Sequence, residues 1–105
     1  MDKRNTIIIA NQYAEAINEK FNFVKVILFG SYARGNFHEE SDIDIAVVFK
    51  DYNNLIEMQL ELMRLSRKID SRIEPHPFRE SEFEISNFIV NEIVKYGYEI
   101  RNNVA

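Results

Sequence analysis

ILFGSYARGNFHEESDIDIAVVF, Ile27 to Phe49, holds two apolar runs joined by a short polar link. The first run stops at Gly30-Ser31, and the second opens on Asp42 and Asp44, two acids set one residue apart. Burying a charge is costly unless a group of opposite sign meets it. Two carboxylates at the mouth of an apolar strand therefore ask for a cation.

Outward from this stretch, Val24 to Phe29 and Ile43 to Phe49 read as buried strands, rich in β-branched and aromatic residues. The link between them is too short for a full helical crossover, which predicts an antiparallel pair. Upstream, Ile7, Ala10, Ala14, Ile17 and Phe21 recur at helical spacing and predict a helix over residues 3–20. Downstream, Leu55, Met58, Leu62, Leu65 and Ile69 predict a helix from Leu55 to Ile69. Ile56, Leu60 and Met63 widen its apolar face enough for the sheet and a partner. Ser71 to Phe78, SRIEPHPF, predicts a third strand, parallel to the second because a whole helix intervenes. Its prolines consign it to a sheet edge or end it near Pro75. Ser81 to Tyr96 predicts a last helix, with Ile85, Phe88, Ile89, Ile93 and Tyr96 inward and Gly97 as its stop. Tyr98 to Ile100 is a candidate short extension. The expected fold is α/β, in the order α-β-(short α)-β-α-β-α, with a small mixed sheet of three to four strands packed by helices.

Composition sets bounds. At 105 residues the expectation is one domain over 1–105, and 46% hydrophobic residues suffice for a core without staples. The absence of cysteine rules out disulfides and thiolate metal sites and fits a reducing cytoplasm. No apolar run has the length of a signal peptide or a membrane span. Net charge is −4, the wrong sign for a protein that coats nucleic acid.

The topology brings three segments to one corner: the end of the first strand and the starts of the second and third. Asp42 and Asp44 share a strand face, opposite Ile43 and Ile45. On the third strand Arg72, Glu74 and His76 share a face. Converging carboxylates of this kind suit Mg²⁺ or Mn²⁺, and two such ions about 4 Å apart would clamp an in-line displacement at phosphorus. Gly30 lets backbone approach a ligand, and Ser31 is read as the cap of a short helix made from Tyr32, Ala33 and Arg34, closed by Gly35. Helix N-termini receive phosphates. Arg34 is either a cationic contact to a triphosphate or an ordinary exposed arginine. His38 and His76 read as surface residues, Glu39 and Glu40 as solvated loop acids, and Tyr96 and Tyr98 as packing aromatics, while Tyr32 is either a base-stacking ring or part of the core.

GSYARG followed by SDIDI resembles the G-S-x-A-x-G and S-D-x-D signature of the DNA polymerase β-like nucleotidyltransferase superfamily, most closely its minimal nucleotidyltransferase branch. The likeness is tight over Val26 to Val48 and loose out to Glu74 and the closing helix. It implies that Gly30 and Ser31 bind the triphosphate of ATP, with Arg34 and Ser41 as further nucleotide-binding candidates. Asp42 and Asp44 would hold Mg²⁺, two ions in all. The third carboxylate falls on Glu74, which would share a metal and orient or deprotonate the attacking hydroxyl. SRIEPHPF is less apolar than the family's usual strand there.

No segment remains to enclose an acceptor, so a separate partner or a homodimer is implied. The resemblance supplies one: a helical HEPN ribonuclease toxin, silenced when its minimal-nucleotidyltransferase antitoxin transfers AMP onto a tyrosine. Adenylylation adds bulk and negative charge where an RNA phosphate must bind. Two other readings stand beside it. One is an antitoxin that neutralises a HEPN protein by contact alone. The other is a transferase acting on small molecules such as antibiotics, although such enzymes carry an additional helical domain.

Overall fold

The structure, a computed structural model, describes residues 3–38, 41–84 and 87–103. Four strands form one sheet in the order β3-β2-β1-β4, flanked by helices. In chain order these are α1 (Lys3–Lys20), β1 (Lys25–Phe29), α2 (Ser31–Arg34), β2 (Ile43–Phe49), α3 (Leu55–Ile69), β3 (Ile73–Arg79), a 3-10 turn (Glu80–Glu82), α4 (Phe88–Tyr96) and β4 (Tyr98–Asn102).

β1 and β2 run antiparallel, with Phe29 opposite Asp44. β2 and β3 run parallel, with Ile43 opposite Ile73 and Asp44 opposite Glu74. Both pairings follow the lengths of the links. β4 adds antiparallel to β1, with a register shift between Val26 and Ile27.

The two prolines of β3 are accommodated through the direction of the backbone. Ile43 N–H donates to the Arg72 carbonyl at 2.8 Å, so even-numbered residues of β3 turn their peptide groups toward β2. Pro75 and Pro77 then occupy positions whose amides would face the open edge, and no ladder bond is lost. The Pro75 carbonyl points the same way and accepts from Gln59 Nε2 of α3 at 2.9 Å.

One sheet face carries most of the core. Val26 and Leu28 of β1 meet Ile43, Ile45, Val47 and Phe49 of β2, beneath α1 and α3. α1 contributes Ala10, Tyr13, Ala14 and Ile17. Tyr13 was not part of the expected stripe. Its ring is fully buried, and its hydroxyl donates to the Leu62 carbonyl at 2.7 Å. In α3, Asn54 caps the helix by accepting from Glu57 N–H, and Leu62 and Leu65 reach the core. Leu55, Ile56 and Leu60 stay exposed.

The opposite face is covered in part by α4, whose Ile93 packs on Ile27, Phe29 and Ala46. Here the sequence expectation is corrected. The helix begins at Phe88 rather than Ser81, because Asn87 caps it by accepting from the N–H groups of Ile89 and Val90. That start rotates the buried stripe onto Val90 and Ile93. Phe88 is 82% exposed, and Ile89 and Tyr96 are about half exposed, at 48% and 46%. Ile85 lies outside the described residues. Tyr98, expected to pack, is also 45% exposed.

Candidate active site

β1 ends at Phe29, and the chain turns at Gly30 with φ 76° and ψ −153°, a conformation that L side chains avoid. The turn is also tight. A Cβ on Gly30 would strike Asp44 Oδ2 and lie 3.2 Å from Asp44 Cγ. The glycine backbone is therefore laid directly against the Asp44 carboxylate. Gly30, not Ser31, takes the cap position of α2, which corrects the sequence reading; no side chain caps it. Ser31 is the first helical residue. Ser31, Tyr32 and Ala33 occupy the turn in which a helix leaves its N–H groups without intrahelical acceptors. Gly35, at φ 85°, closes α2, and its N–H donates to the Ser31 carbonyl.

Tyr32 is buried and stacks on Phe37 with ring centroids 4.5 Å apart. Arg34 reaches α4, where it pairs with Glu92 at 2.7 Å. Ser41 is buried, and its Oγ accepts from His38 N–H at 2.9 Å while its own N–H donates to the His38 carbonyl. These bonds pin the loop just ahead of Asp42.

Asp42 is exposed at the mouth of β2, and Asp44 is half-buried as its second residue. Ile43 and Ile45, fully buried on the other face, fix that alternation. Register places Glu74 beside Asp44 on the open edge, exposed. Arg72 turns away to form a fork with Asp70, with Nη2 to Oδ2 at 2.7 Å. Those hydrogen bonds hold the Asp70 carboxyl below the usual carboxylate range.

His76 is the residue that the sequence reading misassigned to the surface. Its Nε2 lies 3.1 Å from Asp44 Oδ1, and its ring meets Phe29 edge-on at 5.0 Å. The signal was present: His76 shares a face with Glu74, two residues on. A parallel register then places it opposite Ala46, within reach of Asp44.

Among the described residues no cluster of three or more acidic or imidazole groups is drawn together tightly enough to hold a metal by itself. Asp42 and Asp44 nevertheless fit Mg²⁺, which binds through one or two carboxylates and completes its shell with phosphate oxygens and water. A cleft of about 820 Å³ lies at the other end of the strands, lined by Asn22, Lys50, Asp51 and Asn103 among others, and holds none of these residues.

The family described as nucleotidyltransferase domain matches residues 10–97. MJ0141, a candidate protein adenylyltransferase of Methanocaldococcus jannaschii, is 38% identical over 79 residues, which is 72% of this chain and 77% of the relative. A crystal structure of a candidate nucleotidyltransferase from Sulfolobus solfataricus superposes with a TM-score of 0.70 at 25% identity, covering 96% of this chain and 84% of that one. A crystal structure of a toxin–antitoxin with AMP-PNP reaches the same TM-score at 26% identity, covering 90% and 73%.

Proposed function

The chain belongs to the nucleotidyltransferase domain family, and on that premise we propose that it transfers AMP from ATP onto a hydroxyl of a HEPN-type toxin, acting as the antitoxin. The single observation that carries this reading is the contact between Gly30 and Asp44. It makes one site of the turn suited to phosphate and the strand suited to a divalent cation. Support for a nucleotide donor and a toxin partner comes from the similar toxin–antitoxin bound to AMP-PNP, and support for a protein acceptor from the M. jannaschii relative.

In this mechanism the backbone at Gly30 and Ser31 holds the triphosphate, and Arg34 adds charge once released from Glu92. Asp42 and Asp44 would hold Mg²⁺, which when bound would supply positive charge against that developing on the phosphates. Glu74 accepts the proton of the acceptor hydroxyl, a tyrosine in the leading version, as that oxygen bonds to the α-phosphorus. The bond from the α-phosphorus to the bridging oxygen breaks, and pyrophosphate leaves.

One observation favours a second reading. Glu74, though opposite Asp44, keeps its side chain exposed on the open edge, and among the described residues no three acidic groups close on one point, as would suit an antitoxin that acts by contact alone. Incubating the chain with ATP, Mg²⁺ and its helical partner, then weighing the partner intact, separates the two. Transfer requires AMP-sized additions that vanish with Asp42→Asn and Asp44→Asn. A partner neutralised without added mass overturns the transfer reading in favour of contact.

A further inference from the structure

Asp44 is addressed from two sides. Its Oδ1 faces His76 Nε2 at 3.1 Å, and its Oδ2 is the atom that a side chain at Gly30 would strike first. A carboxylate only accepts hydrogen bonds, so the proton in the first contact belongs to His76 Nε2. From this division of the two oxygens we infer that His76 is a positioning residue for the transfer reaction. It donates Nε2–H to Oδ1 and so keeps Oδ2 aimed at the Gly30 turn, where cation and phosphate meet. The inference rests on the nucleotidyltransferase reading of this site and adds a residue that lies outside both of its motifs.

His76 is itself held. Pro75 and Pro77 lie on either side of it, and each ring locks its own φ. Pro77 also restricts the His76 backbone to extended geometry. The imidazole stands opposite Ala46, whose small side chain leaves the sheet surface open for it to cross toward Asp44. Phe29, on the far side of β2, meets the ring edge-on at 5.0 Å. The imidazole therefore reaches Asp44 with little freedom left to lose. Both partners keep part of their surface in water, with side chains 34% and 27% exposed. A contact of that kind adds little to stability, so its effect is read in ligand binding and rate.

The test compares wild type with His76→Phe, which fills the space and keeps the Phe29 contact but removes the donor, and with His76→Gln, whose amide restores one. Titration calorimetry measures Mg²⁺-ATP binding to the purified chain, and steady-state transfer is measured alongside. His76→Phe is expected to lose roughly 10- to 100-fold in Mg²⁺-ATP affinity or transfer rate, as groups that orient metal ligands do. His76→Gln should recover most of that loss, and urea midpoints should stay together. In ¹⁵N-histidine spectra of the ligand-free protein, His76 should carry its proton on Nε2 and shift with Asp44→Asn. If His76→Phe binds and turns over like wild type while Asp44→Asn abolishes binding, the inference fails alone. If wild type binds no Mg²⁺-ATP, the transfer reading fails and takes the inference with it.

Discussion

Replacing Gly30 by alanine probes the contact that joins the two halves of the site, and Gly35→Ala is its matched control. Both glycines have positive φ, 76° and 85°. At Gly30 the pairing of that φ with ψ −153° is a region held almost only by glycine, with a cost of about 1–3 kcal/mol for another residue. At Gly35, with ψ 7°, alanine enters the left-handed helical region at roughly 1–2 kcal/mol. From backbone conformation alone the two variants should therefore lose similar stability. At about 4–8 °C per kcal/mol for a domain near this size, each melts several degrees below wild type.

Their surroundings differ. A Cβ on Gly35 meets nothing within 4 Å, whereas one on Gly30 drives into the Asp44 carboxylate and lies 3.3 Å from Asp44 Cβ. Either the carboxylate swings away or the turn lifts. A displacement near 1 Å at a reacting centre costs on the order of 100-fold in rate. The assay is AMP transfer to the partner, followed by intact mass and corrected for the folded fraction from urea titration. Gly30→Ala should be slower than Gly35→Ala by on the order of 100-fold. Equal rates at equal folded fraction would refute the claim that Asp44 works against the Gly30 backbone.

Glu74→Gln should slow transfer by roughly 10²–10⁴-fold if Glu74 takes the acceptor proton, with no change in urea midpoint because the side chain is exposed; an unaltered rate removes Glu74 from the mechanism. Tyr13→Phe should cost about 1 kcal/mol by urea titration, since burial pushes the Tyr13 hydroxyl well above its ordinary pKa and keeps it a donor to Leu62; transfer should be unchanged, and equal stability would refute the contribution of this bond. Asp70→Asn tests the fork with Arg72, whose hydrogen bonds depress the folded pKa of Asp70. A depressed pKa contributes stability in full above the ordinary carboxylate pKa and loses it as pH falls through the folded value. The gap between wild type and Asp70→Asn in urea midpoint should therefore be open at neutral pH and close on acidification; a gap that persists in acid contradicts the assignment.

The parts of the fold legible in the sequence are those with local signals. β2 spans Ile43–Phe49 and α3 spans Leu55–Ile69, as their apolar patterns indicate, and the strand directions follow from link lengths. What escaped depends on partners distant in the chain. Tyr13 falls in phase with Ala10, Ala14 and Ile17 on α1, but the Leu62 carbonyl that satisfies its buried hydroxyl is remote in sequence. His76 meets Asp44 only once β3 is parallel and in register with β2. In α4 the error was local: Ser81 served as the start although Asn87 supplies the cap, and the phase of the inward stripe moved with it. The glycine-serine turn and the aspartate pair were legible together because their chemistry requires each other.

That mutual requirement explains why the aspartates sit on a strand and not in a loop. β2 sends Ile43, Ile45, Val47 and Phe49 into the main core, each nearly inaccessible to solvent. The alternation of a strand then obliges Asp44 to face the opposite side, beside Gly30 and His76. A slip of one residue would carry those apolar side chains to the face under α4 and turn the acid into the main core. The burial that stabilises the fold thus also fixes the register of the site. The same parity separates two classes of substitution. Changes at Asp42, Asp44 or Glu74 act on a half-covered face, so they can remove chemistry and leave the core intact. Changes at Ile43 or Ile45 touch no reacting group, yet they would loosen the frame that aims Asp44 at the glycine turn. Activity lost through Ile45→Ala should therefore return when the chain is cooled or otherwise stabilised, whereas activity lost through Asp44→Asn should not.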